Sequence, residues 1–286
     1  MLFFFCAEVD LEHLYDRATT RLVVFTSVKD SAMQDFVSMG KDPMTSDATI
    51  RFLVSKFDTK SSVERHTLKD ILEGIGPASI DLITREMDWR GTDEEARSIK
   101  QSLWILGEIG TAQIVEPVGR FTKDDAWSVR SAAFTALGKS GSNTAVEHVL
   151  DGLKDTIALV RKSAYYALSE IATEQEMPFL LAGLTDPYYG ARYAALSGIR
   201  RLKQDGLIFF EQLVDDETRN YFFLAAAAGS DIEYLLDDHF WSASPATRKA
   251  MYQIMPKTLL EDALEKEAHP LLKKLLEKRI AFLQQK

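Results

Sequence analysis

The chain has 286 residues, of which 46% are hydrophobic and 27% charged, enough apolar material to bury a core and too much for a disordered tail. Its 15 Gly and 8 Pro are too few for collagen-like, linker-dominated or turn-dense β classes. A formal charge of -9, from 34 Lys and Arg against 43 Asp and Glu, argues against a general nucleic-acid coat, which needs a basic footprint to meet phosphate.

At the N-terminus, MLFFFCAEVDLE has no basic leader and turns acidic just after Ala7, unlike a signal peptide. No apolar run reaches the ~18 residues that a membrane span requires. Cys6 is the only cysteine, which excludes an intrachain disulfide, a Cys-based zinc cluster and a dithiol motif, and points to the reducing cytoplasm. Residues 1–43 admit two readings. Leu11, Leu14, Tyr15 and Ala18 have helical spacing, whereas RLVVFTSV (21–28) is β-branched enough for a strand. Helix is the expectation, because a lone strand would find no partner in the helical array that follows. MTSDATIRFLVSKF (44–57) reads as the helix that opens this array. Residues 1–57 are thus expected to form an N-terminal helical cap and first helix, and 58–286 one continuous array.

Between Asp93 and Lys203 the sequence repeats with a period of 31 residues. Asp93, Asp124, Asp155 and Asp186 keep that spacing, as do Leu106, Leu137, Leu168 and Ile199. Arg130, Arg161 and Arg192 share a column, and so do Val129, Val160 and Ala191, and Ala133, Ala164 and Ala195. A fixed period of this length is the signature of a repeat architecture. Each period reads as two helices. In the first, Val129, Ala133, Ala136 and Leu137 form one apolar stripe, with Asp124 or Asp125 expected as the cap and Gly138 and Gly141 at the C-terminal end. In the second, Val146, Val149, Leu150 and Leu153 share a face. ILEGIGPASI echoes ILGEIGTAQI at an offset of 34 residues, which extends the array back to residue 58. Toward the C-terminus Arg219, Arg248 and Lys273 stand at the arginine position with spacings of 29 and 25. HPLLKKLLEKRIAFLQQK, with one wet face, suits a terminal capping helix.

Asp155, Val160, Arg161, Ala164, Ala167, Leu168 and Ile171, within DTIALVRKSAYYALSEIA, closely resemble the HEAT-repeat family in its short bacterial form, the phycobilisome-lyase HEAT-like repeat. The resemblance implies an all-α fold, a right-handed α-solenoid of antiparallel helix pairs whose second helices line a concave face. It also implies a ladder between neighbouring repeats, built from Asp124, Asp155 and Asp186 with Arg130, Arg161 and Arg192. The repeat that begins at Asp93 departs from the pattern, with Ile99 at the arginine position and Arg97 as the nearby substitute.

Signposts of catalysis are weak. His13, His66, His148, His239 and His269 form no H-E-x-x-H pair, and Glu147-His148 reverses the order used by di-iron HEAT hydroxylases. ALGKSGS (136–142) mimics the tail of a phosphate loop without its first glycine or its preceding strand. There is no G-x-S-x-G elbow. Neither a catalytic residue, a metal nor a cofactor is expected.

The side chains on the surface of the repeats carry more information. Trp104, Thr135, Tyr166 and Ser197 share one column, Leu103, Phe134, Tyr165 and Leu196 the column before it, and Lys100, Ser131, Lys162 and Tyr193 the column one turn earlier. Trp104, Phe134, Tyr165, Tyr166 and Tyr193, flanked by Lys100 and Lys162, are the candidate contacts for a protein or peptide, since aromatics bury much area at low entropic cost. A second candidate surface is acidic. From Glu211 to Asp238 eight acids, among them Asp215, Asp216, Glu217, Asp237 and Asp238, face Arg219 alone, a formal charge of −7 that would attract a basic partner. The expected function is that of a non-enzymatic scaffold or adaptor that binds a protein or peptide on the concave face of the solenoid; the alternative that the resemblance implies is a phycobilin lyase-like subunit or another enzyme-associated role.

Overall fold

The structure is a computed structural model that describes residues 9–21, 26–87, 96–183, 186–202, 241, 244–252 and 257–284. Every regular element among the described residues is helical, and none of these helices is long and apolar enough to cross a membrane. The chain is an all-α repeat protein in two compact units, Met1–Ala145 and Val146–Lys286.

The first unit contains α1 (Leu11–Ala18), α2 (Thr26–Lys41), α3 (Ser46–Ser55), α4 (Ser62–Ile75), α5 (Ile80–Glu86), α6 (Arg97–Ile109), α7 (Val115–Gly119) and α8 (Trp127–Lys139). The longer helices stack in chain order, α2 on α4, α4 on α6 and α6 on α8, and α3 packs on α5 in a second layer. α1 buries Leu14, Tyr15 and Ala18 as the spacing predicts, and its N-terminus is capped by Asp10, which accepts from the His13 N–H. The strand reading of 21–28 fails where it can be judged, because Thr26–Val28 open α2; 22–25 lie outside the described residues.

The second unit contains α9 (Val146–Leu150), α10 (Ala158–Ile171), α11 (Met177–Gly183), α12 (Tyr189–Leu202), α13 (Pro245–Tyr252), α14 (Lys257–Lys266) and α15 (Pro270–Gln284). α10 and α12 pack side by side, α11 lies against α12, and α13 and α14 pack on α15. Pro270 opens α15, where its missing N–H costs nothing. Leu272, Leu276 and Ile280 are buried along one face, and the opposite face is wet.

Within the repeats the apolar stripes lie where their spacing puts them. Val129, Ala133, Ala136 and Leu137 of α8 are buried, as are Val160, Ala164, Ala167 and Leu168 of α10. Gly110 and Gly141 follow the helix ends at φ 63°, a left-handed conformation that glycine adopts without strain. The second helix of each period is less regular than its pattern suggests. Residues 143–154 form a 3₁₀ turn, the five-residue α9 and another 3₁₀ turn, yet Val146, Val149 and Leu153 are buried.

The repeat aspartates are not helix caps. Asp124, Asp155 and Asp186 each stand before the turn and accept from the N–H two residues on, at 2.8, 2.8 and 2.7 Å. Six residues later an arginine returns to the same turn. The Nη1 of Arg130, Arg161 and Arg192 donates to the carbonyls of Asp124, Asp155 and Asp186 at 2.8, 2.9 and 2.9 Å. Arg161 also reaches the next repeat, where Nε and Nη2 donate to Oδ2 and Oδ1 of Asp186 at 2.7 and 3.0 Å. Variants of this clamp extend it in both directions. Thr59 Oγ1 accepts from the Ser61 N–H while Arg65 donates to the Lys60 carbonyl at 2.9 Å. Near the C-terminus Glu267 accepts from the His269 N–H, from both ends of the Arg248 fork at 3.0 and 3.2 Å, and from the Tyr252 hydroxyl at 2.6 Å. Ile99, at the arginine position of the divergent repeat, is buried, and Arg97 meets Asp58 at 3.3 Å instead.

Asp186 and Glu267 stay ionised although they are sequestered. Burial works to raise the Asp186 and Glu267 carboxyls, but arginine hydrogen bonds and backbone N–H groups outweigh it and hold both below their usual values; at Glu267 the Tyr252 hydroxyl helps. The Arg161 and Asp186 side chains are 16% and 6% exposed, between the exposed pairs worth ~0–1 kcal/mol and the buried ones whose disruption costs ~3–5 kcal/mol. Arg161→Ala is therefore expected to cost about 2–3 kcal/mol in urea denaturation at neutral pH. An acid with a depressed native value stabilises the fold above its unfolded value of ~3.9 and loses that contribution as pH falls through the native value. The gap between wild type and Arg161→Ala should accordingly shrink below pH ~4; an unchanged midpoint at neutral pH would show that the pair is energetically idle.

Close approach also constrains the stack. A Cβ on Gly183, the last residue of α11, would press on the Tyr165 ring and lie 2.7 Å from the Ala195 Cβ. Gly183→Ala should lower stability by ~1–3 kcal/mol through overpacking, seen as an earlier thermal midpoint with unchanged helical circular dichroism.

Candidate interaction site

In α6, Arg97, Lys100, Gln101 and Trp104 follow at i, i+3, i+4 and i+7, so helix geometry puts them on one face. Packing of α6 on α4 brings Arg65 and His66 to the same place. The Gln101 amide donates to the Arg65 carbonyl at 2.9 Å and pins the two helices together. The His66 ring meets the Trp104 indole edge-on, with centroids 5.1 Å apart and planes at 82°. The indole N–H donates to Glu108 Oε1 at 2.8 Å, and the same oxygen accepts from Lys139 of α8 at 2.6 Å. Burial acts to raise the Glu108 carboxyl, but Lys139 and Trp104 overcome it and hold it below its ordinary value. The indole is thus fixed from two sides before any partner arrives.

Two hollows flank it. One, of about 360 Å³, is lined by Arg65, Arg97, Lys100, Gln101 and Trp104. The other, of about 140 Å³, lies between α6 and α8, where Thr135 and Lys139 close it. Arg97 is held by Asp58, whereas Lys100 meets no carboxylate among the described residues.

The second unit carries its own exposed patch. Lys162 and Tyr166 are one turn apart on α10, and Tyr193 stands on the adjoining α12 at the repeat position of Lys162. Tyr166 and Tyr193 are 38% and 54% exposed, and Lys162 is exposed as well.

Phe134 and Tyr165, expected among the contacts, are core residues, only 1% and 6% exposed. One residue along a helix turns a side chain by about 100°, enough to carry position 165 inward while position 166 faces out. Burial, with Asp186 nearby, pushes the Tyr165 phenol up to about 12. The acidic candidates Asp215, Asp216, Glu217, Asp237 and Asp238 lie outside the described residues, as does Asp93. Among the described residues no three His, Cys, Asp or Glu side chains are grouped to hold a metal.

The sequence reading passed over Arg65, Arg97, Gln101, Glu108 and Lys139 as parts of this site, and Glu267 as a clamp acid. Each left a signal. The 34-residue offset that aligns Ile71 with Ile105 also sets Arg65 against Ile99, and Glu267 stands six residues before Lys273, the distance that separates Asp155 from Arg161.

Stacked helix pairs whose turns carry a recurring acid–arginine clamp define a helical-repeat protein. The family model for HEAT repeats matches residues 90–159. No curated protein matches the chain. Among solved structures it is similar to a designed armadillo repeat protein in complex with the peptide (KR)4, at 14% identity over 68% of this chain and 100% of that one, with a TM-score of 0.40. It is also similar to the CpcE–CpcF complex of phycocyanin lyase from Nostoc sp. PCC7120, at 14% identity over 82% and 94%, with a TM-score of 0.45. A third likeness is to YibA of Escherichia coli, at 14% identity over 96% and 97%, with a TM-score of 0.45.

The contrast between neighbouring columns is testable without a partner. Phe134→Ala should cost ~3–5 kcal/mol of stability, while Tyr193→Ala should stay within about 0.5 kcal/mol of wild type, both read by chemical denaturation.

Proposed function

We propose that the protein is a non-enzymatic cytoplasmic scaffold or adaptor that binds a protein or peptide partner through side chains displayed on its longer helices. The anchors in the first unit are Trp104 and Lys100, and those in the second are Tyr166, Tyr193 and Lys162. One observation carries the reading. The column of Leu103, Phe134, Tyr165 and Leu196 is buried throughout, while Tyr166, in the next column, and Tyr193, one turn before the buried Leu196, stay exposed. Large aromatics held at a surface by a rigid scaffold are the residue type that dominates interface energetics. Trp104 adds a ring already locked in place, which lowers the entropic cost of binding.

The test begins with a pull-down from native lysate and mass spectrometry, followed by titration of the captured partner. Trp104→Ala, or Tyr166→Ala combined with Tyr193→Ala, should weaken binding ~30-fold, about 2 kcal/mol, while the helical circular dichroism is unchanged. Wild-type affinity in all of these variants, with binding abolished by charge reversal at Asp215, Asp216 and Glu217, would move the site to the acidic stretch. A coloured adduct on co-expression with a bilin and its acceptor would replace the scaffold reading by the lyase-like one.

A further inference from the structure

The pocket beside Trp104 has a charge opposite to that of the chain as a whole. Arg65, Arg97 and Lys100 line it, in a protein of formal charge -9. Arg65 is anchored from below, its Nη1 donating to the Lys60 carbonyl, so its guanidinium is positioned rather than free to swing. Lys100 stands one turn before Trp104 on the same face of α6. The indole forms the apolar wall, and its polar edge is already satisfied by Glu108. A ligand that matches these walls carries negative charge next to an apolar side chain.

We propose that this pocket binds an acidic peptide segment of the partner, with a carboxylate between Arg65 and Lys100 and a neighbouring apolar side chain on the Trp104 ring. The inference rests on the scaffold reading and adds the chemistry of what is bound. Charge complementarity selects the acid, since opposite charges across an interface set register and reject wrong partners. Guanidinium and ammonium groups form their strongest hydrogen bonds with ionised acceptors. A peptide fits better than a nucleic acid, which needs a cationic track along its backbone. Here the cations end within a few residues, at Asp58 beside Arg97, at Asp70 and Glu73 beside Lys69, and at Glu108 beside Lys139.

The experiment is fluorescence anisotropy on the full chain with a fluorescein-labelled octapeptide, a Phe-Leu pair set among six glutamates. The same peptide with lysines for glutamates and a labelled oligothymidylate serve as comparison probes. Wild type should bind the glutamate peptide, less tightly as salt rises. Lys100→Glu and Trp104→Ala should each weaken it at least tenfold, with helical circular dichroism unchanged. Lys100→Ala, a milder surface change, should fall between wild type and Lys100→Glu. No binding of the glutamate peptide, or equal binding by wild type and Lys100→Glu, overturns the proposal. Tighter binding of the oligothymidylate with the same dependence on Lys100 overturns it in favour of a nucleic acid. Preference for the lysine peptide, lost in Tyr166→Ala with Tyr193→Ala, also overturns it but leaves the scaffold reading standing.

Discussion

The arginine six residues after each turn acid is the constraint on which the repeats depend. A guanidinium presents its donors in a planar fork that cannot flex to suit each acceptor separately. In Arg161 one nitrogen is committed to the carbonyl of Asp155, in its own turn, and the other edge to the carboxylate of Asp186, in the next. One side chain therefore sets the local turn and the distance to the neighbouring repeat together. Arg248 and Glu267 repeat the arrangement where the period has become irregular, with the Trp241 carbonyl in the first role and the Glu267 carboxylate in the second. Lysine could supply the charge but not the two directions.

Once stacking is set in this way, each surface position follows from its column. Residues 103, 134, 165 and 196 are buried, and the next residue along each helix is partly or fully exposed. This is how α6 can leave Arg97, Lys100, Trp104 and Glu108 partly exposed on one side and still bury Ile99, Leu103 and Leu106 on the other. The candidate site grows out of the same packing. α4 contributes Arg65 and His66, α8 contributes Lys139, and Trp104 is held by the His66 ring on one side and by Glu108, which Lys139 braces, on the other. Its orientation is a product of three helices, none of which could impose it alone.

The C-terminal part shows why some of the pattern was hard to read. Arg248 and Lys273 stand out because arginine and lysine keep their positions, but the acid between them is a glutamate at a new spacing. Glu267 is one methylene longer than the aspartates of the central repeats, and it takes on an extra donor, the Tyr252 hydroxyl. A column defined by Asp and by 31 residues misses it; a column defined by an acceptor six residues before a cation contains it. Thr59, six residues before Arg65, is the same case at the other end, with a hydroxyl in place of the carboxylate.

The sequence by itself determined the helical class, the 31-residue period, the buried stripes and the positions of the glycines that end α6 and α8. These depend on periodicity and local backbone preference, which a linear pattern records. It also made Trp104, Phe134, Tyr165, Tyr166, Tyr193, Lys100 and Lys162 candidates for partner contact. Only the tertiary structure decided that Phe134 and Tyr165 belong to the core, because a single residue of helix rotation separates burial from exposure and the pattern admits both. It alone decided that the repeat aspartates brace a turn instead of capping a helix, since the choice depends on where each arginine ends. The joining of Arg65 to Lys100 and Trp104 in one pocket is likewise tertiary, since residues 35 and 39 positions apart meet only because α4 packs against α6.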